Sequence, residues 1–221
     1  MIYLIDMDGE VVHIWFVKPS SAEGKETGAR AGRTYHAKYI GNGHIIYMSD
    51  WLTELDWEGN LVWHYRPEGV ESDPHGGAGL VAWNPKYQII TAHHDFQRLD
   101  NGNTLILARE TVKNPEVSDY PIASDYFIEI TAEGKPVWVW HTDEHFEEFD
   151  FSEEAKHLLK TQRDSQSSVG EDLFHTNTLE VLPDTPLGQR DSRFHQGNIL
   201  SSQRNTKWEY PFTGYYSWKA F

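Results

Sequence analysis

The stretch HHDFQRLDNGNTLILARE, residues 93–110, sets His93, His94 and Asp95 at the mouth of an alternating strand and Arg109 at its far end. His36 in TYHAKYIGNG and His175 in FHTNTLEVLP stand in similar places, and Arg204 follows SSQ as Arg109 follows LILA. A neutral imidazole can accept a proton, donate one, or attack an electrophile near neutral pH. Arginine adds a cation that never loses its charge and a fork of donors shaped for an oxyanion. Together these residue types can exchange protons and hold a tetrahedral anion. A lone histidine at a strand start is more often a hydrogen-bonded structural residue, and His36 taken alone reads that way. Strand alternation points His93 away from His94, so one of that pair is expected to be structural. His13, His44, His64 and His157 read as exposed or strand-packing residues.

The same groups form a competing set for a metal: imidazoles of the HHD stretch and His175, with Asp95, could bind Zn²⁺ or a related ion. No short metal-ligand spacing of a familiar kind is present. The expectation is therefore no metal and no cofactor.

These residues need elements to hold them, and internal repeats supply the elements. Four segments share a strand, a Gly turn and a Trp-bearing strand: LIDMDGEVVHIW (4–15), ELDWEGNLVWHY (54–65), EITAEGKPVWVW (129–140) and EYPFTGYYSWKA (209–220). Trp63, Trp138 and Trp218 each fall four positions after Gly59, Gly134 and Gly214, whereas Trp15 lies two positions later than the pattern asks. Such Gly pairs are hairpin chemistry, with the second turn position requiring φ > 0. A Gly-containing turn and short strand precede the last three: GNGHIIYM (41–48), DNGNTLILA (100–108) and HQGNILSS (195–202). Each combination makes a four-stranded antiparallel meander, and meanders repeated along a chain read as propeller blades. The fold class expected is all-β: one β-propeller domain over 1–221, with blades near 1–15 (partial), 34–65, 91–141 and 172–220. Residues 68–79 and 183–193 read as inserted loops, and 150–163 as the only helix, capped by Asp150. A β-sandwich with chance Trp hairpins is the alternative. About three and a half to four blades fall short of the usual closed wheel. The chain is thus expected to be part of a larger propeller, or to be closed by partners or by self-association through open edges.

In a propeller the first strand of each blade lines the central channel, so His36, His94 and His175, distant in sequence, would meet at one mouth. Arg109 and Arg204 end second strands, where they could approach the rim or a neighbouring blade. The Trp set reads as blade packing, and EEFDFSEE (147–154) as a solvated acidic face.

Composition agrees with large rings filling sheet layers. Aromatics make up 14% of the 221 residues, with nine Trp and eleven Tyr. A net charge of −15 argues against a nucleic-acid partner, which needs a basic face. An anionic ligand would rely on local His and Arg groups. The chain has no cysteine, hence no disulfide framework or thiolate metal site. MIYLIDMDGEVVHIW reads as strand–turn–strand rather than a signal peptide, and no apolar run is long enough to predict a membrane span.

At HHDFQRLDNGNTLIL, DYFIEITAEGKPVWVW, FHTNTLEVLP and GNILSSQRN the sequence resembles the bacterial aryl-sulfate sulfotransferases, six-bladed propellers independent of nucleotide cofactors. The resemblance implies transfer of a sulfuryl group between phenols through a sulfohistidine, with aryl sulfates and phenols as small-molecule partners. It implies His94 (or His93) and His175 as sulfuryl-binding and acid–base groups and Arg204 as the clamp on the sulfuryl oxygens. His93, His36, Arg109 and Asn177 would then bind substrate. It also implies a periplasmic or extracellular setting. In the family the nucleophilic histidine lies on a later blade. The 17 residues from Asn205 onward hold no histidine, so a partial or catalytically silent relative is expected. His195, in HQGN, reads as a turn residue. Two other readings compete: a non-catalytic propeller scaffold or binding module, and a quinone- or metal-dependent propeller oxidoreductase.

Overall fold

A computed structural model describes residues 1–17, 34, 36–49, 52–66, 91–149, 151–161 and 171–204. Strands dominate these residues, and the fold class is all-β. The chain divides into two compact units, Met1–Asn84 and Pro85–Phe221.

In the first unit β1 (Ile2–Ile5) and β2 (Val11–Trp15) form a hairpin, and β3 (His36–Gly41), β4 (His44–Met48), β5 (Leu52–Leu55) and β6 (Leu61–Tyr65) form a four-stranded antiparallel meander. The β1–β2 turn shows how the repeat is made. Asp6 accepts the amides of Asp8 and Glu10 on its carboxylate, and the Gly9 amide donates to the Asp6 carbonyl. Asp56 and Gly59 repeat the carbonyl bond and the carboxylate bond to the fifth residue. Within these loops only the glycine takes positive φ, +86° at Gly9 and +81° at Gly59. The glycine therefore closes the turn as a left-handed bulge residue, one place later than the second turn position expected from sequence. Trp15 compensates for its irregular spacing by packing with Ile45, Tyr47 and Leu55, and its indole N–H donates to the Asp56 carbonyl at 2.8 Å.

In the second unit β7 (Thr91–Arg98), β8 (Thr104–Val112), β9 (Ile122–Ile130) and β10 (Pro136–His141) form the other four-stranded meander. Short 3₁₀ turns at Asp143–Glu148 and Ser192–Phe194 add helical structure that was not expected. Helix α1 (Glu153–Thr161) is capped by Ser152, whose hydroxyl accepts the Ala155 amide at 3.2 Å. Asp150 and residues 162–163 lie outside the described residues, as do 68–79 and the last Trp hairpin at 209–220. The acidic run is only partly a solvated face. Glu147 pairs with Lys156, but Phe149 and Phe151 turn inward against Phe174.

The chain then adds β11 (Glu171–Asp172), which pairs parallel to the start of β9, and the hairpin of β12 (Thr176–Val181) and β13 (Ile199–Gln203). Side chains tie β12 to the large sheet. The Asp95 carboxylate accepts the Leu179 amide at 2.9 Å, and the Gln97 side chain accepts the Val181 amide at 2.8 Å. Leu179 thereby joins Leu105, Leu107 and Phe127, with Trp138 packed against them. Burying such a leucine contributes about 2 kcal/mol.

Candidate active site

The pairing of β7 with β8 breaks where the histidines begin. Ala92 faces Ala108 and Phe96 faces Ile106, so residues 93–95 stand against Leu107 alone. His94 absorbs the surplus backbone with φ +61°. This bulge overturns the alternation expected for His93 and His94. Both rings lie on one side, with centroids 4.0 Å apart. The remaining residue of the trio, Asp95, is buried and accepts the amides of Phe96 and Leu179. Its carboxylate is a strand tie, which removes it from the metal set considered from sequence.

His175 approaches from the start of β12, also left-handed, with φ +50°. Phe174 beside it is anchored among Val117, Ile122, Phe146 and Leu173, and the His175 carbonyl accepts the Arg204 amide at 3.1 Å. These contacts hold a backbone conformation that costs an ordinary residue of order 1–3 kcal/mol. The result is His94 Nε2 at 2.9 Å from His175 Nε2, with the His93 ring 4.9 Å from that of His175.

Two acids, neither singled out from sequence, stand behind the imidazoles. Asp125, in the middle of β9, has a fully buried side chain. His93 Nδ1 lies 3.2 Å and Arg109 Nε 3.1 Å from its Oδ1, and the Thr176 amide donates to Oδ2 at 2.6 Å. Asp172, placed by β11, lies 2.5 Å from His175 Nδ1 through Oδ2 and 2.9 Å from an Arg109 terminal nitrogen through Oδ1. The signals that could have found them are slight: a carboxylate inside the apolar run IASDYFIEI, and an acid three residues before His175 in DLFH.

Burial by itself would raise the Asp125 carboxyl pKa. The bond from His93, the charge of Arg109 and the Thr176 amide outweigh it and leave the pKa lowered. His93 is lowered chiefly by burial, against the opposing pull of Asp125. Burial, then the neighbouring His93, His175 and Arg109, bring His94 down to about 4.

The carboxylates dictate the tautomers. His93 and His175 carry their protons on Nδ1, facing Asp125 and Asp172. Each then presents a lone pair on Nε2. The bond between His94 and His175 requires a proton on His94 Nε2, which leaves His94 Nδ1 an acceptor. A ring that takes up a proton becomes an imidazolium, and the contact between His94 and His175 lets that proton pass from one ring to the other.

Arg204 brings one terminal nitrogen to 3.2 Å from His175 Nδ1 and is otherwise exposed. Arg109 is held by the two acids. Asn177 is half-buried at the register irregularity between Thr176 and Thr178. His36 opens β3 opposite Met48 in the first unit. His195 bonds its own turn through Nδ1 to the Gln196 carbonyl at 2.7 Å, as its HQGN context suggested. Of the expected set, His93, His94, Arg109, His175 and Arg204 are assembled.

A family model described as Arylsulfotransferase (ASST) matches residues 1–188. The chain belongs to the arylsulfotransferase family. The matched range takes in His36, His93, His94, Arg109, Asp125, Asp172, His175 and Asn177, and ends before Arg204. No curated protein and no solved structure matches the chain. As an arylsulfotransferase family member it carries its histidines at two irregular strand starts, with Asp125 behind His93 and Asp172 behind His175.

Proposed function

We propose that the cluster binds the sulfuryl group of an aryl sulfate and exchanges the phenolic protons during transfer to a second phenol. The observation that carries this reading is the His94–His175 contact at 2.9 Å, with Asp172 behind His175. In the overall exchange the S–O bond to the donor phenol breaks and a new S–O bond forms to the acceptor. The acceptor's hydroxyl proton ends on the departing phenolate.

The Nε2–H of His94 serves as the proton donor to the leaving oxygen, and the imidazolium that forms at His175 returns a proton to the same Nε2, so that both rings end neutral. His175 Nε2, its basicity raised by Asp172 on the far side of the ring, receives the acceptor's proton. Arg204 clamps the sulfuryl oxygens with the fixed donors of its guanidinium. Asn177 joins the binding surface in this reading. The covalent sulfohistidine step of the family is assigned to none of the described residues, so the chain supplies the binding and proton-exchange part of that chemistry. The propeller arrangement belongs to the same reading, supported by the two four-stranded meanders and the Trp hairpins. So does self-association through open strand edges.

Release of 4-nitrophenolate from 4-nitrophenyl sulfate, dependent on an added phenol, tests the proposal. His175→Ala and Arg204→Ala should abolish it while His195→Ala does not. A whole protein that transfers to no phenol in a broad panel would sink catalysis for this chain. Retention of the aryl sulfate without turnover would then identify a binding module.

A further inference from the structure

We propose that Arg109 is a positioning residue that locks together the acids behind His93 and His175, rather than a group that binds substrate. It lies directly across from Asp125 in the pairing of β8 with β9, and its Nε donates to Asp125 Oδ1 at 3.1 Å. A terminal nitrogen of the same guanidinium stands 2.9 Å from Asp172 Oδ1. Each acid faces an imidazole in its turn, Asp125 at 3.2 Å from His93 Nδ1 and Asp172 at 2.5 Å from His175 Nδ1. His93, Asp125, Arg109, Asp172 and His175 therefore form one continuous chain of side chains. It links β7, β9, β8 and β11 to the residue that leads into β12.

Each link has a reason in the fold. β11 is two residues long, with Asp172 paired to Ala123, and so short a strand has few backbone bonds to fix its side chains. Ala123 and Asp125 share one face of β9, which brings Asp172 to the side where Arg109 lies. The Arg109 fork meets two carboxylates from one rigid plane, a geometry that a lysine ammonium does not reproduce. Its side chain is 17% exposed and two of its nitrogens face acids, so it turns away from a sulfuryl oxygen. Arg204, by contrast, is exposed. Displacing a group that supports the chemistry by about 1 Å costs on the order of 100-fold in rate. Sequence pointed to Arg109 as a substrate ligand because a strand-end arginine shows its charge and not its partners.

For rates this role rests on the sulfuryl-transfer reading, but the first measurement needs no turnover. In the full chain with nitrogen-labelled histidine, an Nδ1–H of His175 bonded to Asp172 gives a downfield proton resonance, assigned by its absence in His175→Gln. Arg109→Lys keeps the charge and loses the fork, and the resonance should be lost. The ring of His141, 2.8 Å from Glu110 on the other face of the sheet, is the internal control and should keep its signal. Absence of the His175 resonance from the parent, or its persistence in Arg109→Lys folded by circular dichroism, overturns the role. With 4-nitrophenyl sulfate and a phenol, Arg109→Lys should lower kcat about 100-fold and leave KM within about threefold. Adding Asp172→Asn should lower kcat no further than about threefold below the worse single variant, since both changes break one chain. A raised KM with kcat kept would make Arg109 a substrate-binding group, and additive losses would separate it from Asp172; either overturns the role. Should Arg109→Lys fail to fold, Asp172→Asn leaves the buried Arg109–Asp125 pair in place and must itself lower kcat at unchanged KM. Unchanged kcat there overturns the role as well. A parent that transfers to no phenol, yet loses the His175 resonance in Arg109→Lys, leaves this proposal standing and sinks the previous one.

Discussion

His94 and His175 meet nitrogen to nitrogen at 2.9 Å, across 81 residues of chain. Both sit in the left-handed region, at φ +61° and +50°, where side chains other than glycine are uncommon. Neither ring could face the other from an ordinary extended strand start.

Because the two rings share one proton, their substitutions should not add. His94→Ala and His175→Ala are each expected to lower the rate with 4-nitrophenyl sulfate by about 10²–10⁴-fold. The double variant should fall no more than about tenfold below the worse single one. Initial rates for the four proteins close the cycle, and strictly additive losses would separate the two roles.

Asp125 is fully buried and holds Arg109, His93 and the Thr176 amide at once. Asp125→Ala strands the Arg109 cation with only Asp172 beside it. The expected cost is about 3–5 kcal/mol, read from the midpoint of urea unfolding.

The pKa of His94 in the folded chain, about 4, lies below its ordinary 6.5. Over that interval the unfolded chain binds a proton which the folded chain refuses. The pair's neutral form therefore favours folding fully above pH 6.5, and stability drains away as pH falls toward 4. His141 runs the other way. Its bond to Glu110, 2.8 Å long, raises its pKa, so that contribution is present in acid and fades as pH rises through the raised value. Urea midpoints between pH 4 and 8 should show His94→Asn flattening the acid loss and His141→Asn deepening it. An unchanged acid slope in His94→Asn would show that His94 does not govern the loss.

Asp95 is expected to matter for packing alone. Asp95→Ala removes the acceptor for the Leu179 amide and should cost about 1–3 kcal/mol. The midpoint of urea unfolding reads that loss. A variant as stable as the parent would show that this bond does not hold β12 to the sheet.

Much of the scaffold could be read directly from the chain. The GNG, DNG and EG turns, the Trp-bearing hairpins and the strands around them follow from rules about a few neighbouring residues. Glycine supplies a left-handed backbone, Asp or Asn satisfies the turn's amides, and β-branched and aromatic residues fill the pleat. The same repeat singled out His36, His94 and His175 as partners, because equivalent positions in successive meanders invite comparison, and of these the second unit brings His94 and His175 together. The cap that Ser152 provides for α1 shows the limit of that reading, since several acids and hydroxyls competed within three residues.

Sequence by itself determined an all-β chain of Gly-closed hairpins, and it placed imidazoles and guanidinium groups at strand ends. Only the tertiary structure decided that His93 and His94 share a side, that Asp95 turns inward, and that Asp125 and Asp172 stand behind the rings. The reason is one of range. Turn chemistry is settled between residues a few bonds apart. A bulge is settled by the register of β7 against β8, and the carboxylate supports by where β9 and β11 lie beside them. The alternation of a lone strand cannot reveal that three residues must face one.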